Sequence, residues 1–372
     1  MRIMLDATSL LLPSAGVKTY MYYWTRSLRQ YRDRDSIRLF PFFGGLANLN
    51  HEKSLVGWRR TALAAAVVYF SNIRWNPVLE LAGCVTDVFH ASQHLQNPPH
   101  LTTRLTATIF DMTCWLMPEV HVPANVTATH RYGERVLRRA RACIAISEQS
   151  KQDAVEILKL PADSVEVIYP GVAEEFFAVG PPEARAVARK HGLDKPYLLY
   201  VGTIEPRKNL DCLMDAYLSV CEPVRREHEL ILVGPLGWCS DATRKRLQSP
   251  EPGIRYLGYV SEEDLPGLTA GAAAFVYPSR YEGFGLSLVQ AMACGVPAIT
   301  SRGSSLEEVA GEDAILVDPG NADALAAAIE QLLLSPSLCA ELGRRGRLRA
   351  ASFRWERSAR QSLAFFHKLA AR

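Results

Sequence analysis

Three side chains stand where the chain could set charge against a ligand: Glu282 and the adjacent cations Arg207 and Lys208. Each follows an apolar run that reads as a buried strand, Ala272 to Tyr277 before Glu282 and Tyr197 to Val201 before the cations. Glu282 shares its loop with Gly283 and Gly285, and a helix is expected from near Leu286 to Gly295, with Pro297 just beyond. A carboxylate and the free amides of a helix start would then share the carboxyl end of a strand, where α/β sheets bind ligands. Those amides and the helix dipole favour anionic or hydroxyl-rich partners, and Gly283 and Gly285 admit a close backbone approach. Gly202 turns the chain after Val201 and presents Arg207 and Lys208 ahead of a helix beginning near Asn209. Two cations on that face could neutralise a diphosphate without a metal. Alone, an Arg-Lys pair in a loop is an ordinary solvated feature; its strand-end position and the matching Glu282 loop favour a site for a phosphorylated, hydroxylated ligand.

The amino-terminal half adds candidates of its own. Gly16, at the mouth of the first helix, would let backbone amides touch a phosphate or a sugar. No GxGxxG follows the first strand, which argues against a nicotinamide-binding domain. His90 and Asp111 each follow an expected strand and are expected to face a cleft, with a loop-satisfying role as the alternative. His90 and His94 have a metal-ligand spacing but no acidic ligand nearby, so no metal is expected. Asp33-Arg34-Asp35 lies between a helix and a strand start and reads as a solvated turn.

The elements that must position these residues alternate along the whole chain, helix with strand, as in parallel sheets covered on both faces. Expected strands are Ile3–Asp6, Ile37–Phe43, Val85–His90, Leu105–Phe110, Ala142–Ile146 and Val165–Ile168 in the first half. Helices are expected over Val17–Gln30, Ala128–Ala140 and Glu148–Leu158, the last capped by Ser147. A stretch rich in Pro, Gly and charge, from Pro170 to Pro196, reads as a linker, and alternation then resumes to a final helix, Trp355–Ala371. The expected fold is α/β, two doubly wound Rossmann-like domains facing a cleft. The first is placed at residues 1–172 and the second at 173–354.

A chain of 372 residues exceeds one ordinary core, in keeping with two domains. A net charge of +3 is too small to point to nucleic acid. Eight cysteines without a CxxC pair or zinc spacing indicate a reducing compartment, and the start of the chain passes straight into a strand, so a cytoplasmic protein is expected. The longest apolar run, Thr61–Phe70, falls short of the ~20 residues that span a bilayer. With Trp58, Arg59, Arg60, Arg74 and Trp75 around it, it reads as a buried helix, with peripheral contact at the inner membrane face as the alternative. The arginines at 131, 135, 138, 139 and 141 read as a solvated basic face, with a phosphate or lipid-headgroup site as the alternative.

Taken in order, the Gly16 loop, DMTCWLMPE from Asp111, AISEQSKQD from Ala145, Pro170-Gly171-Val172, GTIEPRKNL from Gly202, LGYVSEEDL from Leu257 and EGFGLSLVQAMACG from Glu282 resemble the family-4 retaining glycosyltransferases of GT-B architecture. The likeness covers nearly the whole chain. It implies that Arg207 and Lys208 hold the diphosphate of a nucleotide-sugar donor and that Glu282 binds hydroxyls of the transferred sugar. Backbone amides of Phe284, Gly285 and Leu286 would touch sugar and phosphate, and Gly258, Tyr259 and Val260 would read the base. The resemblance further implies that the last helix, residues 355–372, crosses back to the first domain. It implies no cofactor and no metal, and retention by front-face substitution, in which the departing diphosphate takes the acceptor's proton. The wording of GTIEPRKNL is similar to mannosyltransferases, and the acceptor implied is a saccharide or a lipid-linked saccharide.

Two positions depart from the family's pattern. Gln290 replaces the second glutamate of its E-x7-E signature, a change that would weaken the hold on ribose by ~1–2 kcal/mol. Phe110 stands where relatives carry histidine, which passes acceptor positioning to His90 or Asp111. The alternative function is therefore a catalytically weak or silent nucleotide-sugar-binding subunit.

Overall fold

The computed structural model describes residues 1–11, 15–41, 58–72, 76–100, 104–249 and 251–371. They divide into two compact units, Met1–Gly171 with Arg354–Arg372, and Val172–Phe353. Each unit is built on one six-stranded sheet in which every pairing is parallel.

The first sheet holds β1 (Arg2–Asp6), β2 (Ser36–Phe40), β3 (Val88–Ala91), β4 (Leu105–Ile109), β5 (Ala142–Ala145) and β6 (Val165–Val167), in the spatial order β2-β1-β3-β4-β5-β6. The expected end of β2 at residues 42 and 43 lies outside the described residues. The order reverses between β1 and β3, and there Asp6 pins the strand ends together. Its buried carboxylate accepts from the Thr8 amide and hydroxyl at 3.0 and 2.7 Å and from the Ser92 amide and hydroxyl at 2.9 and 2.5 Å.

The second sheet holds β7 (Tyr197–Val201), β8 (Glu229–Val233), β9 (Ile254–Gly258), β10 (Ala274–Tyr277), β11 (Ala298–Ser301) and β12 (Ile315–Val317), ordered β12-β11-β10-β7-β8-β9. YLLYV in β7, ELILV in β8 and AFVY in β10 are near-continuous apolar runs, as strands buried on both faces require. Read within the sheet, this is the order of a dinucleotide-binding fold, with its reversal between β7 and β10.

The helix Trp355–Ala370 belongs to the first unit and packs on the helix Ala15–Tyr31. Trp355 stacks on Tyr23 and meets Tyr20 edge-on; the Trp24 indole donates to Ser362 at 2.9 Å and its ring lies against Phe366. Gly171 passes directly under the start of this helix, where an added Cβ would stand 2.1 Å from the Trp355 amide nitrogen.

Several expectations change. The stretch read as a linker is folded into the second unit as the helices Glu175–Ala178 and Pro181–Lys190. Val187 fills the space over Gly267, and Lys190 and His191 reach the Asp264 carboxylate at 2.8 and 3.1 Å. Gly180 and Pro181 mark a helix start, not a flexible joint. The basic helix expected over Ala128–Ala140 runs from Pro123 to Tyr132 and widens into a π turn, Gly133–Leu137, against which the Trp115 ring rests. Asp35 is not solvated: it is buried and accepts from His367 of the last helix at 2.8 Å.

The Thr61–Phe70 run lies in the helix Trp58–Ser71, with Tyr69 and Phe70 exposed at its end. Arg74 and Trp75 lie outside the described residues, as do the side chains of Trp58, Arg59 and Arg60. Among the described residues no single helix is long and apolar enough to cross a membrane. All eight cysteines are free thiols.

Candidate active site

At the reversal of the second sheet, the loop after β7 and the loop after β10 meet. The Arg280 amide donates to the Arg207 carbonyl at 2.9 Å, and the Asn209 side chain donates to the carbonyls of Pro278 and Pro319 at 3.1 and 2.6 Å. Asn209 itself adopts a left-handed turn, φ 62°, that ends the short helix Pro206–Lys208 and opens Leu210–Ser219. The Glu282 carbonyl is fixed by the Ser305 hydroxyl at 2.7 Å and the Tyr277 carbonyl by Thr300 at 2.9 Å.

These supports hold a buried ionic cluster. Glu282 takes Lys208 Nζ on Oε1 at 2.5 Å and Arg207 Nη1 on Oε2 at 2.9 Å. The other terminal nitrogen of Arg207 donates to Glu205 at 2.6 Å, while Nη1 also donates to the Tyr281 carbonyl at 2.5 Å. The Tyr277 hydroxyl accepts from Lys208 at 2.7 Å and donates to Glu282 at 3.1 Å. Burial works against the ionised form of Glu282, but Arg207 and Lys208 outweigh it and hold the carboxyl at about 2. Burial draws the Lys208 ammonium the opposite way, down from its ordinary value, with Arg207 adding to the effect and the two glutamates opposing it. A 2.5 Å contact, with a tyrosine hydroxyl beside both partners, is that of an ionised pair. Burial raises the Tyr277 hydroxyl well above its usual value, and the nearby Glu282 charge adds to this, so Tyr277 is a neutral phenol here.

Gly285 opens the helix Leu286–Ala293 with φ 91°, a left-handed conformation that glycine alone adopts without cost. Any side chain there would also strike Leu306. Gly283 is buried in the same loop, and the Phe284 ring packs inward against Phe353. Gln290 is half-buried in the same helix. Leu286 begins that helix and is likewise half-buried. A Cβ added at Gly202 would stand 2.7 Å from the Tyr200 hydroxyl and 3.6 Å from the Tyr277 ring, so packing at the sheet end already accounts for its lack of a side chain. Gly258 has open space where a side chain would stand, exposed Tyr259 follows it, and Val260 is buried.

Gly16, His90 and Asp111 belong to the first unit. Among the described residues, an added Cβ at Gly16 would meet nothing within 4 Å. Asp111 accepts from the Thr113 amide and hydroxyl at 3.0 and 2.6 Å and so fixes the turn into the helix Thr113–Leu116. Phe110 points into the core against Tyr20, ring centroids 5.1 Å apart.

The structure corrects the expectation for His90. It lies within β3, wholly buried, its ring packed between Trp24 and Phe366 and its two nitrogens bonded to Thr106 at 2.9 Å and Thr108 at 2.8 Å. It faces no ligand. Burial pushes its pKa down to about 3, so the native ring is neutral. Because the unfolded ring titrates near ~6.5, this stabilisation is complete above that value and is lost as pH falls towards 3. At pH 5 His90 should cost the fold ~2 kcal/mol relative to pH 7. Denaturant titrations at both pH values should show an acid-induced loss smaller by that amount in His90→Gln than in the wild type; equal losses would refute it.

Sequence reasoning missed Glu205 and Tyr277, though both lie in segments already singled out. Glu205 stands two residues before Arg207 in the loop after β7, and Tyr277 is the last residue of β10, five residues before Glu282.

The family model for glycosyl transferases group 1 matches residues 184–349, a span that carries every member of this cluster. Over 268 residues the chain is 36% identical to O-antigen chain mannosyltransferase B of Escherichia coli, covering 71% of this chain and 70% of that protein. The chain belongs to the group 1 glycosyl transferases. It is also 33% identical over 248 residues to the MMP alpha-(1->4)-mannosyltransferase of Mycolicibacterium hassiacum, covering 64% of this chain and 57% of that one. Among solved structures, HepE of Anabaena in complex with UDP and glucose superposes with a TM-score of 0.74 at 20% identity, covering 99% of this chain and 100% of that chain. The two parallel six-stranded units are thus those of a GT-B glycosyltransferase.

Proposed function

We propose that this glycosyltransferase moves a hexose, mannose first among them, from a nucleotide-sugar donor to a saccharide or lipid-linked saccharide, with retention of anomeric configuration. The observation that carries the reading is the cluster at the β7 and β10 strand ends. Two buried cations there lie within 3 Å of a carboxylate, beside a helix start opened by Gly285. In this reading Arg207 and Lys208 receive the donor diphosphate and Glu282 turns to the sugar hydroxyls. The amides of Phe284, Gly285 and Leu286 meet the sugar and the phosphate, and Gly258, Tyr259 and Val260 line the base. In the same reading the backbone amides at Gly16 touch the donor's phosphate or sugar, and Asp111 positions the acceptor. Charge stabilisation of the departing diphosphate, whose oxygen takes the acceptor's proton, then supplies most of the rate. The choice of mannose is supported by the two relatives above, both named as mannosyltransferases.

The experiment is a donor panel of GDP-mannose, UDP-glucose and UDP-N-acetylglucosamine with purified protein, following nucleoside diphosphate release with and without oligosaccharide acceptors. Release from GDP-mannose, with an α-linked product by NMR, is expected; binding without turnover across the panel would favour the reading as a silent binding subunit. Gln290 and the inward-packed Phe110 motivate that second reading. Gln290→Glu should tighten nucleotide binding about five- to thirtyfold, the equivalent of ~1–2 kcal/mol. Unchanged affinity by calorimetry would remove Gln290 from the ribose site.

A further inference from the structure

We infer that Glu205 is a release residue: its carboxylate neutralises Arg207, so that the empty donor site carries no net charge and lets its diphosphate product go. The inference rests on the donor site proposed above and adds a residue to which that reading gives no role. The buried cluster comprises two cations, Arg207 and Lys208, and two carboxylates, Glu205 and Glu282; none of these side chains is more than 11% exposed. With all four ionised, the set is neutral. Lys208 forms its ion pair with Glu282, whereas Arg207 is held from two sides, by Glu282 on one terminal nitrogen and Glu205 on the other.

The local backbone does not require that second carboxylate. Glu205 precedes the short helix Pro206–Lys208, but its side chain does not cap it; the turn is closed by the Glu205 carbonyl, which accepts from the Lys208 amide at 3.0 Å. The flanking Ile204 is anchored through its own amide to the Pro235 carbonyl at 3.0 Å. What the carboxylate does is place a negative charge 2.6 Å from the guanidinium that would meet the donor.

The physical consequence follows from the reaction. The same diphosphate is bound before transfer and must leave after it, so cations that hold donor and product equally well slow the last step. A buried countercharge on Arg207 weakens both complexes, the product complex more because the released diphosphate carries one more negative charge than the donor, and it speeds turnover where release limits it. Removing that charge leaves the cluster with one net positive charge facing the phosphate oxygens.

Glu205→Gln and Glu205→Ala should therefore bind GDP or UDP about tenfold or more tightly than wild type by calorimetry, with a steeper loss of affinity as salt rises. Steady-state kcat and donor KM should both fall, while the single-turnover rate, which precedes product release, does not fall below the wild-type value. Glu205→Asp, which keeps the charge, should restore wild-type affinity. Unchanged or weaker nucleotide binding in the folded uncharged variants would overturn the inference, as would a failure of both to fold, since Glu205 would then be a structural residue. Arg207→Ala separates the two layers of the argument. If it binds nucleotide like the wild type, the donor-site reading itself fails. If it loses binding while Glu205→Gln is unaltered, only the role given to Glu205 fails.

Discussion

Lys208→Met should abolish nucleotide-sugar turnover and destabilise the second unit together. The ammonium is the closest partner of Glu282, at 2.5 Å, and both groups are buried. Methionine fills similar space but leaves Glu282 with the neutral Tyr277 hydroxyl and one cation, Arg207, which Glu205 also draws on. Removing one partner of a buried pair typically costs about 3 kcal/mol or more, because the surviving charge has lost its compensation. The Glu282 carboxyl, held at about 2 by Arg207 and Lys208, should rise towards its ordinary value. Adding Glu282→Gln should then recover part of the stability without any activity, since the stranded carboxylate is gone. Activity should fall at least ~100-fold, the usual scale for losing one charge that stabilises a leaving group. Denaturant unfolding and initial rates, measured on both variants, check the two parts separately; wild-type stability in Lys208→Met would remove the ionised pair from the description.

Gly171→Ala should be the most damaging single methyl in the first unit. Its Cβ would stand 2.1 Å from the Trp355 nitrogen and 2.6 Å from the Arg354 carbonyl carbon, and both of these are backbone atoms with no rotamer in which to yield. Either the chain at residue 171 or the start of the last helix must move, which breaks the Trp355 contacts with Tyr20 and Tyr23. Overpacking of this kind costs about 3 kcal/mol or more. The melting transition of this unit should drop by roughly 6–12 °C, and trypsin should cleave at Arg357 and Arg360 far sooner than in the wild type. A variant with unaltered melting and cleavage would show that the backbone relaxes at no cost.

Much of this architecture could be read from residue types alone, for local physical reasons. Ser147 does cap its helix, accepting from the Ser150 amide, and Gly295 does end the helix after Ala293 in a left-handed turn, φ 76°. The apolar runs of β7, β8 and β10 fall where a parallel sheet needs them. The same apolar continuity explains the error at His90. A strand buried on both faces carries no alternation, so nothing local distinguishes a histidine inside β3 from one in the loop beyond it. Its partners, Thr106 and Thr108, are sixteen and eighteen residues away on the neighbouring strand.

Glu205 was invisible for the opposite reason. A glutamate before proline in a polar loop ordinarily faces water, and only the tertiary fold turns this one onto Arg207. The segment 170–196 misled through its composition: proline and glycine mark helix starts as well as joints, and the contacts that decide, Val187 with Gly267 and His191 with Asp264, span more than seventy residues.

Because the first unit borrows its final helix from the far end of the chain, it emerges from the ribosome with Trp24, His90 and Tyr20 uncovered. It must wait in that state while residues 172–353 are made as one uninterrupted piece. Synthesis therefore completes the second unit before the first, and a message cut short after codon 353 would yield one finished half beside another with its aromatic core open to chaperones and proteases.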